Sequence, residues 1–148
     1  MTRIQDKINE INQFLEELNI ILPSSLEEYK SSLEKKAACE RYVEKIVEAA
    51  TDLAFLIIKD KKLRIPEDDT DAFNILSENN IIDNELAAKL KNAKGMKNII
   101  SHQYGKIDDE IVFEAIKEEL GKDVRKFVGV VEKNIISKAL HIQDKFKN

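Results

Sequence analysis

Apolar residues recur at intervals of three and four along most of this chain, and this spacing restricts the fold to helices more strongly than any other feature. The pattern is clear in residues 2–21, where charged residues separate the apolar ones. Those apolar residues are Ile4, Ile8, Ile11, Leu15 and Leu18. Four glycines and two prolines in 148 residues are too few for an architecture of strands and turns. The sequence therefore predicts an all-α fold.

Turn-forming residues divide the pattern into about six helices. Pro23 is expected to end the first helix, and Ser24 or Ser25 to cap a long second helix. Gly121 is expected to end the fifth helix, so that Asp123 begins the last one. The predicted helices span residues 2–21, 26–60, 70–80, 83–104, 108–121 and 123–142. We expect one domain over residues 1–148, an up-and-down bundle in which the two longest helices are antiparallel neighbours.

The composition limits the classes of function. A formal net charge of −4 argues against a broad nucleic-acid surface, so any RNA is expected to bind locally. The single cysteine, Cys39, excludes an internal disulfide and fits a reducing cytoplasm. The first residues lack the apolar core of a signal peptide, and the apolar run at 53–58 is much shorter than a membrane span. We therefore expect a cytoplasmic protein with no membrane partner.

One short segment concentrates the reactive side chains. Lys97, His102 and Tyr104 place a cation, an imidazole and a phenol within eight residues. At about 100° per residue, Lys97 lies within a single apolar stripe of the predicted helix 83–104. The other members of that stripe are Leu86, Leu90, Ala93, Ile100 and Tyr104. A lysine in this position either extends its ammonium to solvent, pairs with a carboxylate or serves a site.

On a straight helix the side chains of Lys97 and His102 point in different directions. His102 points about 140° away from Lys97 on an ideal helix, so the two cannot meet on one small ligand. Two solutions remain open. Gly95 disturbs the helix, or a second copy of the chain supplies the missing half across a twofold axis. We favour the twofold axis.

At these residues the sequence resembles the HEPN superfamily and, within it, the HepT-like toxins. The family motif is an arginine, four residues, a histidine, one residue and a tyrosine, commonly with asparagine after the arginine. Here Asn98, His102 and Tyr104 match the motif, and Lys97 replaces the arginine. The resemblance covers nearly the whole chain. The further matching residues are Glu40, Arg41, Ile46, Val47, Glu48, Ala49, Pro66, Ala72, Phe73, Ile75, Leu76, Ile107 and Asp108.

This resemblance implies a HEPN-like homodimer that is a toxin and a metal-independent endoribonuclease, with its site at the dimer interface and no cofactor. His102 has the chemistry of a general acid or base, and Lys97 that of a cation for phosphoryl oxygens. Asn98 and Ser101 are candidates for orienting or binding, since Asn98 shares a helix face with His102. The resemblance also implies a nucleotidyltransferase antitoxin that attaches AMP to Tyr104.

Each of these residues also has an ordinary structural explanation. His102 can be a favourable charge at a helix C-terminus, and Tyr104 can belong to the core. Asn98 and Ser101 can be surface polar groups. Because an ammonium does not grip phosphate as a guanidinium does, the alternative is a weakened or inactive module that binds nucleotide or a partner protein. A purely structural helical adaptor is the third hypothesis.

Overall fold

The computed structural model describes residues 2–102 and 107–136, and every regular element in these two ranges is helical. The predicted all-α bundle is thereby confirmed. The elements are α1 (Thr2–Ile21), α2 (Leu26–Ser31), α3 (Leu33–Asp60), α4 (Asp69–Glu78), α5 (Asn84–His102), α6 (Asp109–Glu114) and α7 (Gly121–Val131). A π-helical segment, Ala115–Leu120, joins α6 to α7, and a second one, Glu132–Ile136, follows α7.

Helices α1 and α3 are the longest of the described elements, and they pack as antiparallel neighbours. Near the start of α1, Lys7 Nζ lies 3.5 Å from Asp52 Oδ2 in the later part of α3. Further along α1, the ring of Phe14 meets that of Tyr42, nearer the start of α3, at 6.3 Å between centroids. The two longest predicted helices, 26–60 and 83–104, correspond to α3 and α5, which also run antiparallel, since Ser101 contacts Glu44 and Lys97 lies beside Glu48.

The predicted helix 26–60 is wrong in one respect, because it breaks at Ser32. This residue is extended, with φ −120° and ψ 109°, and its hydroxyl accepts a hydrogen bond from the backbone N–H of Lys35 at 3.2 Å. Ser32 is thus the N-cap of α3, while Ser25 caps the short α2 as expected. Leu33, the first residue of α3 after the break, is 81% exposed.

The expected stop at Gly121 is also wrong. Gly121 has φ −61° and ψ −43°, the values of a right-handed helix, so the chain continues from the π-helical segment into α7. A Cβ at this position would lie 2.8 Å from Nη1 of Arg125, which shows that the arginine side chain covers the glycine. The glycine ends no helix here, because the neighbouring apolar side chains Leu120 and Val124 hold the backbone against the core.

In the second half of the bundle, α5 packs against α3, α4 and α7. Phe73 of α4 and Phe127 of α7 meet edge to face at 6.0 Å, and both rings are buried. Asp83, the first residue of the predicted helix 83–104, caps α5, since its Oδ1 accepts a hydrogen bond from the N–H of Leu86 at 2.7 Å. None of the helices in the described ranges is both long and apolar enough to cross a lipid bilayer.

A three-residue ion cluster holds the connection between α3 and α4. The Arg64 guanidinium donates to both carboxylate oxygens of Asp71, at 2.7 and 3.0 Å, and to both of Glu78, at 2.8 and 3.1 Å. These hydrogen bonds hold the pKa of Asp71 well below its usual range and also lower that of Glu78. The cluster therefore fixes residues 63–68 against α4.

This cluster predicts a pH-dependent contribution to stability. A carboxyl group whose pKa is lower in the folded chain than in the unfolded chain stabilises the fold. This stabilisation is complete at pH values above the ordinary pKa values of 3.8 for Asp71 and 4.5 for Glu78. It is lost as the pH falls through the lowered pKa values of the folded chain. Arg64→Gln should therefore reduce the free energy of unfolding at pH 7, and the deficit should shrink at pH 3. Urea denaturation at both pH values measures this difference. Arg3→Gln, which removes an arginine that has no ion pair among the described residues, is the matched control. A deficit that stays constant with pH would contradict the assignment.

Candidate active site

The motif occupies the last turns of α5, the helix that begins after Asp83. Its buried residues are Leu86, Ala87, Leu90, Lys94 and Ile100. The helix continues without a break through Gly95, so a disturbance there does not bring the motif side chains together. Tyr104 lies outside the described residues.

Lys97 lies on the side of α5 that faces α3. Its side chain is 15% exposed, and Nζ lies 3.9 Å from Oε1 of Glu48. The sequence left three alternatives for Lys97: extension to solvent, pairing with a carboxylate, or a role in a site. In the structure its ammonium lies beside a carboxylate of the same chain. At this distance the two groups attract each other without a direct hydrogen bond.

Ser101, one turn after Lys97, also contacts α3. Its hydroxyl donates a hydrogen bond to Oε2 of Glu44 at 3.3 Å. Glu44 and Glu48 are four residues apart, so they share one face of α3, and Glu40 extends that row by another turn. We call Glu40, Glu44 and Glu48 the acidic row. Its contacts with α5 were missed from the sequence, where the only signal was the four-residue spacing.

The end of the acidic row lies beside the start of α6. Lys36 Nζ lies 2.8 Å from Oδ1 of Asp109, which ties α6 to α3. Burial raises the pKa of Glu40, and although Lys36 opposes this shift, Asp109 and Glu44 reinforce it. The α3 side of the motif is therefore rich in negative charge.

Asn98 and His102 lie on the solvent side of α5. Both side chains are exposed, and neither forms a hydrogen bond with any residue in the described ranges. Ile99, next to them, is 45% exposed. His102 and Lys97 thus point to different surroundings, as expected for a straight helix.

A groove of about 880 Å³ runs along this solvent side, between α5 and the segment from α6 to the start of α7. Its lining includes Gly95, Met96, Ile99 and Ile111, and Ile111 is 64% exposed. Exposed apolar residues grouped beside a groove are typical of surfaces that contact another protein. The groove and His102 are therefore neighbouring features of α5.

Within the two described ranges, no three His, Cys, Asp or Glu side chains lie close enough together to hold a metal ion. The acidic row contributes carboxylates to the site through contacts with Ser101 and Lys97.

Comparison with known proteins adds independent findings. The family model described as "Ribonuclease HepT-like" matches residues 4–131. A "Putative RNase" of Archaeoglobus fulgidus is 37% identical over 86 residues, which cover 58% of this chain and 64% of that protein. A "tRNA nuclease HepT" of Aphanizomenon flos-aquae is 31% identical over 113 residues, which cover 76% of this chain and 77% of that protein.

A solved structure shares the fold. It contains a tri-AMPylated HEPN toxin of Shewanella oneidensis in complex with its MNT antitoxin. Its TM-score is 0.82 at 24% identity, and the match covers 88% of this chain and 97% of that one. The family model spans most of the chain and agrees with the resemblance of the motif, so this chain belongs to the ribonuclease HepT-like family.

Proposed function

We propose that this protein is the toxin of a toxin-antitoxin pair and a metal-independent endoribonuclease whose site forms between two copies of the chain. The observation that carries the proposal is the division of the motif between two sides of α5. Lys97 lies against α3 beside Glu48, whereas His102 is exposed. One chain alone does not bring both groups to one phosphate, so we place Lys97 and His102 of two copies around one cleft, with the α5 helices of the two copies next to each other across a twofold axis.

The exposed apolar residues beside His102 support this dimer. Ile99 and Ile111 line the groove, and Ile99 precedes His102 by about one turn of α5. Burying them against a second copy would remove apolar surface from water and bring two His102 side chains towards one cleft. The net charge of −4 fits an RNA that is held locally in such a cleft.

The proposed reaction is an intramolecular transfer within RNA. One neutral His102 accepts the proton of a ribose 2′-hydroxyl, and the 2′-oxygen attacks the adjacent phosphorus. The bond from phosphorus to the 5′-oxygen breaks, and the protonated His102 of the other copy supplies a proton to that oxygen. Lys97 stabilises the charge on the phosphoryl oxygens, with Asn98 orienting the imidazole and Ser101 contacting the substrate. The products carry a 2′,3′-cyclic phosphate and a 5′-hydroxyl.

The pairing of Lys97 with Glu48 favours the second candidate, a weakened or inactive module. The carboxylate competes with phosphate for the ammonium, and an ammonium lacks the planar fork with which a guanidinium grips two oxygens. In this alternative the same cleft binds a nucleotide or the partner protein without cutting RNA.

We also propose a nucleotidyltransferase antitoxin as the partner, on the strength of the tri-AMPylated toxin in the solved complex. The phenol oxygen of Tyr104 attacks the α-phosphorus of ATP, pyrophosphate leaves, and the phenol proton passes to a base of the antitoxin. The attached nucleotide adds a negative phosphodiester two residues along the chain from His102 and thereby repels the RNA. Such a pair acts in the cytoplasm, where both RNA and ATP are present.

The first test is cleavage of RNA in excess EDTA. The purified protein should cut RNA and leave 2′,3′-cyclic phosphate ends, which mass spectrometry identifies. His102→Ala should lower the rate by at least about 100-fold, because it removes the general base and acid. The control is His141→Ala, since His141 is the other histidine of the chain.

The same experiment tests the shared site. As the protein is diluted, the rate per chain should fall together with the fraction of dimer measured by analytical ultracentrifugation. Cleavage that requires a metal, survives His102→Ala or persists in a monomer would rule out the mechanism.

Lys97→Arg separates the two candidate functions. A guanidinium that gains one charge-assisted hydrogen bond to phosphate should raise the cleavage rate by about tenfold, whereas Lys97→Gln should lower it. Lys91→Arg on the same helix is the matched control, because Lys91 bonds Asn74 and lies away from the acidic row. An inert wild type with an active Lys97→Arg variant would establish the inactive module. Equal rates for all three side chains would show that residue 97 does not contact phosphate.

Tyr104→Phe tests the proposed modification. The wild type, incubated with ATP and a co-purified nucleotidyltransferase, should gain adenylyl groups and lose cleavage, and Tyr104→Phe should gain none. Intact-protein mass spectrometry measures the additions. Tyr42→Phe, which removes another of the three tyrosines, should still be modified. Modification that persists in Tyr104→Phe would place the acceptor elsewhere.

A further inference from the structure

A second groove, of about 860 Å³, lies between the start of α1, the last third of α3 and the connection to α4. No residue of α5 lines it, so it is separate from the motif. Its apolar lining includes Phe55, Leu56, Leu63 and Ile65. Ile65 is 87% exposed, and the Arg64 cluster holds this part of the connection in place. The groove thus has a fixed apolar wall open to solvent.

The charges along the groove are unevenly distributed. At one end, Arg3, Lys59 and Lys62 are exposed and form no ion pair with any residue that the structure describes. Elsewhere, Lys7 pairs with Glu10 at 3.0 Å and with Asp52 at 3.5 Å, and Asp6 also lines the wall. The groove therefore offers unpaired cations at one end and carboxylates farther along.

The backbone at Lys62 points to a role for its side chain. Lys62 has φ 56°, and its N–H donates to the carbonyl of Lys59 at 3.2 Å, while Leu63 N–H donates to Ile58 at 3.0 Å. This is the turn that closes many helices, and glycine or asparagine normally occupies its left-handed position. The same turn after α4 has Asn80, with φ 57°. A lysine in this conformation is strained, and its side chain lines the groove.

We propose that this groove binds an acidic peptide segment of a partner protein, with large apolar side chains against Phe55, Leu63 and Ile65 and carboxylates against Arg3, Lys59 and Lys62. Charge complementarity and the apolar wall together select this occupant. A nucleic acid carries a phosphate at every step and would bring several of them against Asp6, Glu10 and Asp52, whereas a short peptide can place its carboxylates beside Arg3, Lys59 and Lys62 alone. The proposal does not depend on RNA cleavage, since it concerns a separate surface.

The test is a titration of the ¹⁵N-labelled full chain, followed by NMR, with an acetylated and amidated peptide of sequence ELEFLEDL. The amide signals of residues 55–66 should shift in proportion to binding. The same peptide with Gln and Asn in place of Glu and Asp, and a peptide with Lys in those places, should bind at least about tenfold more weakly, because they lack the complementary charge. Decauridylate RNA and phosphatidylglycerol vesicles should not perturb these signals.

Variants locate the binding. Lys59→Glu with Lys62→Glu should weaken binding by at least about tenfold, and Ile65→Ser should also weaken it. The matched control, Lys30→Glu with Lys126→Glu, reverses two exposed lysines that do not line the groove and should bind normally. Lys62→Gly should raise the melting temperature while weakening binding, which a purely structural lysine would not do. Absent shifts, shifts outside this groove, equal binding of the neutral peptide, or preferential binding of RNA or vesicles would overturn the proposal.

Discussion

The burial of α3 is the constraint on which the rest of the bundle depends. Eleven of its 28 residues are buried, and they lie on more than one side, so no single neighbour can cover them. Helix α1 covers one side, and α4 and α5 cover others. Because the partly exposed edge between these contacts carries the acidic row, the packing of α3 also decides which groups face the motif. Glu44 and Glu48 reach Ser101 and Lys97 as a consequence of helix packing.

This arrangement gives the lysine of the motif a specific electrostatic setting. A guanidinium can bind a carboxylate and a phosphate at the same time through different N–H groups, because its five donors are spread over a plane. An ammonium is a point charge, and Glu48 already attracts it. The replacement of arginine by Lys97 therefore matters more here than it would beside a neutral neighbour. The exposed His102 has no such charged neighbour in the described ranges. Lys97 is therefore attracted by a carboxylate of its own chain, whereas the His102 side chain has no described partner.

Much of the fold could be predicted from the sequence, because helix periodicity and capping are local. Ser25, Asp83 and Asp108 cap helices as their positions indicated. The errors arose where tertiary packing overrides local preference. Ser32 can continue a helix or cap one, and the contacts of α2 decide between these outcomes. Among them, Tyr29 packs against Phe113 at 5.3 Å. Gly121 is a frequent helix terminator, yet it remains helical between buried neighbours.

The candidate site was predictable only in part, for the same reason. The angular separation of Lys97 and His102 follows from one helix, and the structure has the two side chains in different surroundings. The side chains of α3 that lie beside Lys97 and Ser101 cannot be derived from α5 alone, so the acidic row was missed. That row bears on the proposed function, since its carboxylates oppose an RNA phosphate approaching from the α3 side. A cleft formed where the α5 helices of two copies meet would add the Lys97 and His102 groups of the second copy to those of the first. Under the proposed function, association therefore does more than complete the set of reactive groups. It also shifts the local charge balance towards a substrate that an overall negative chain would otherwise repel.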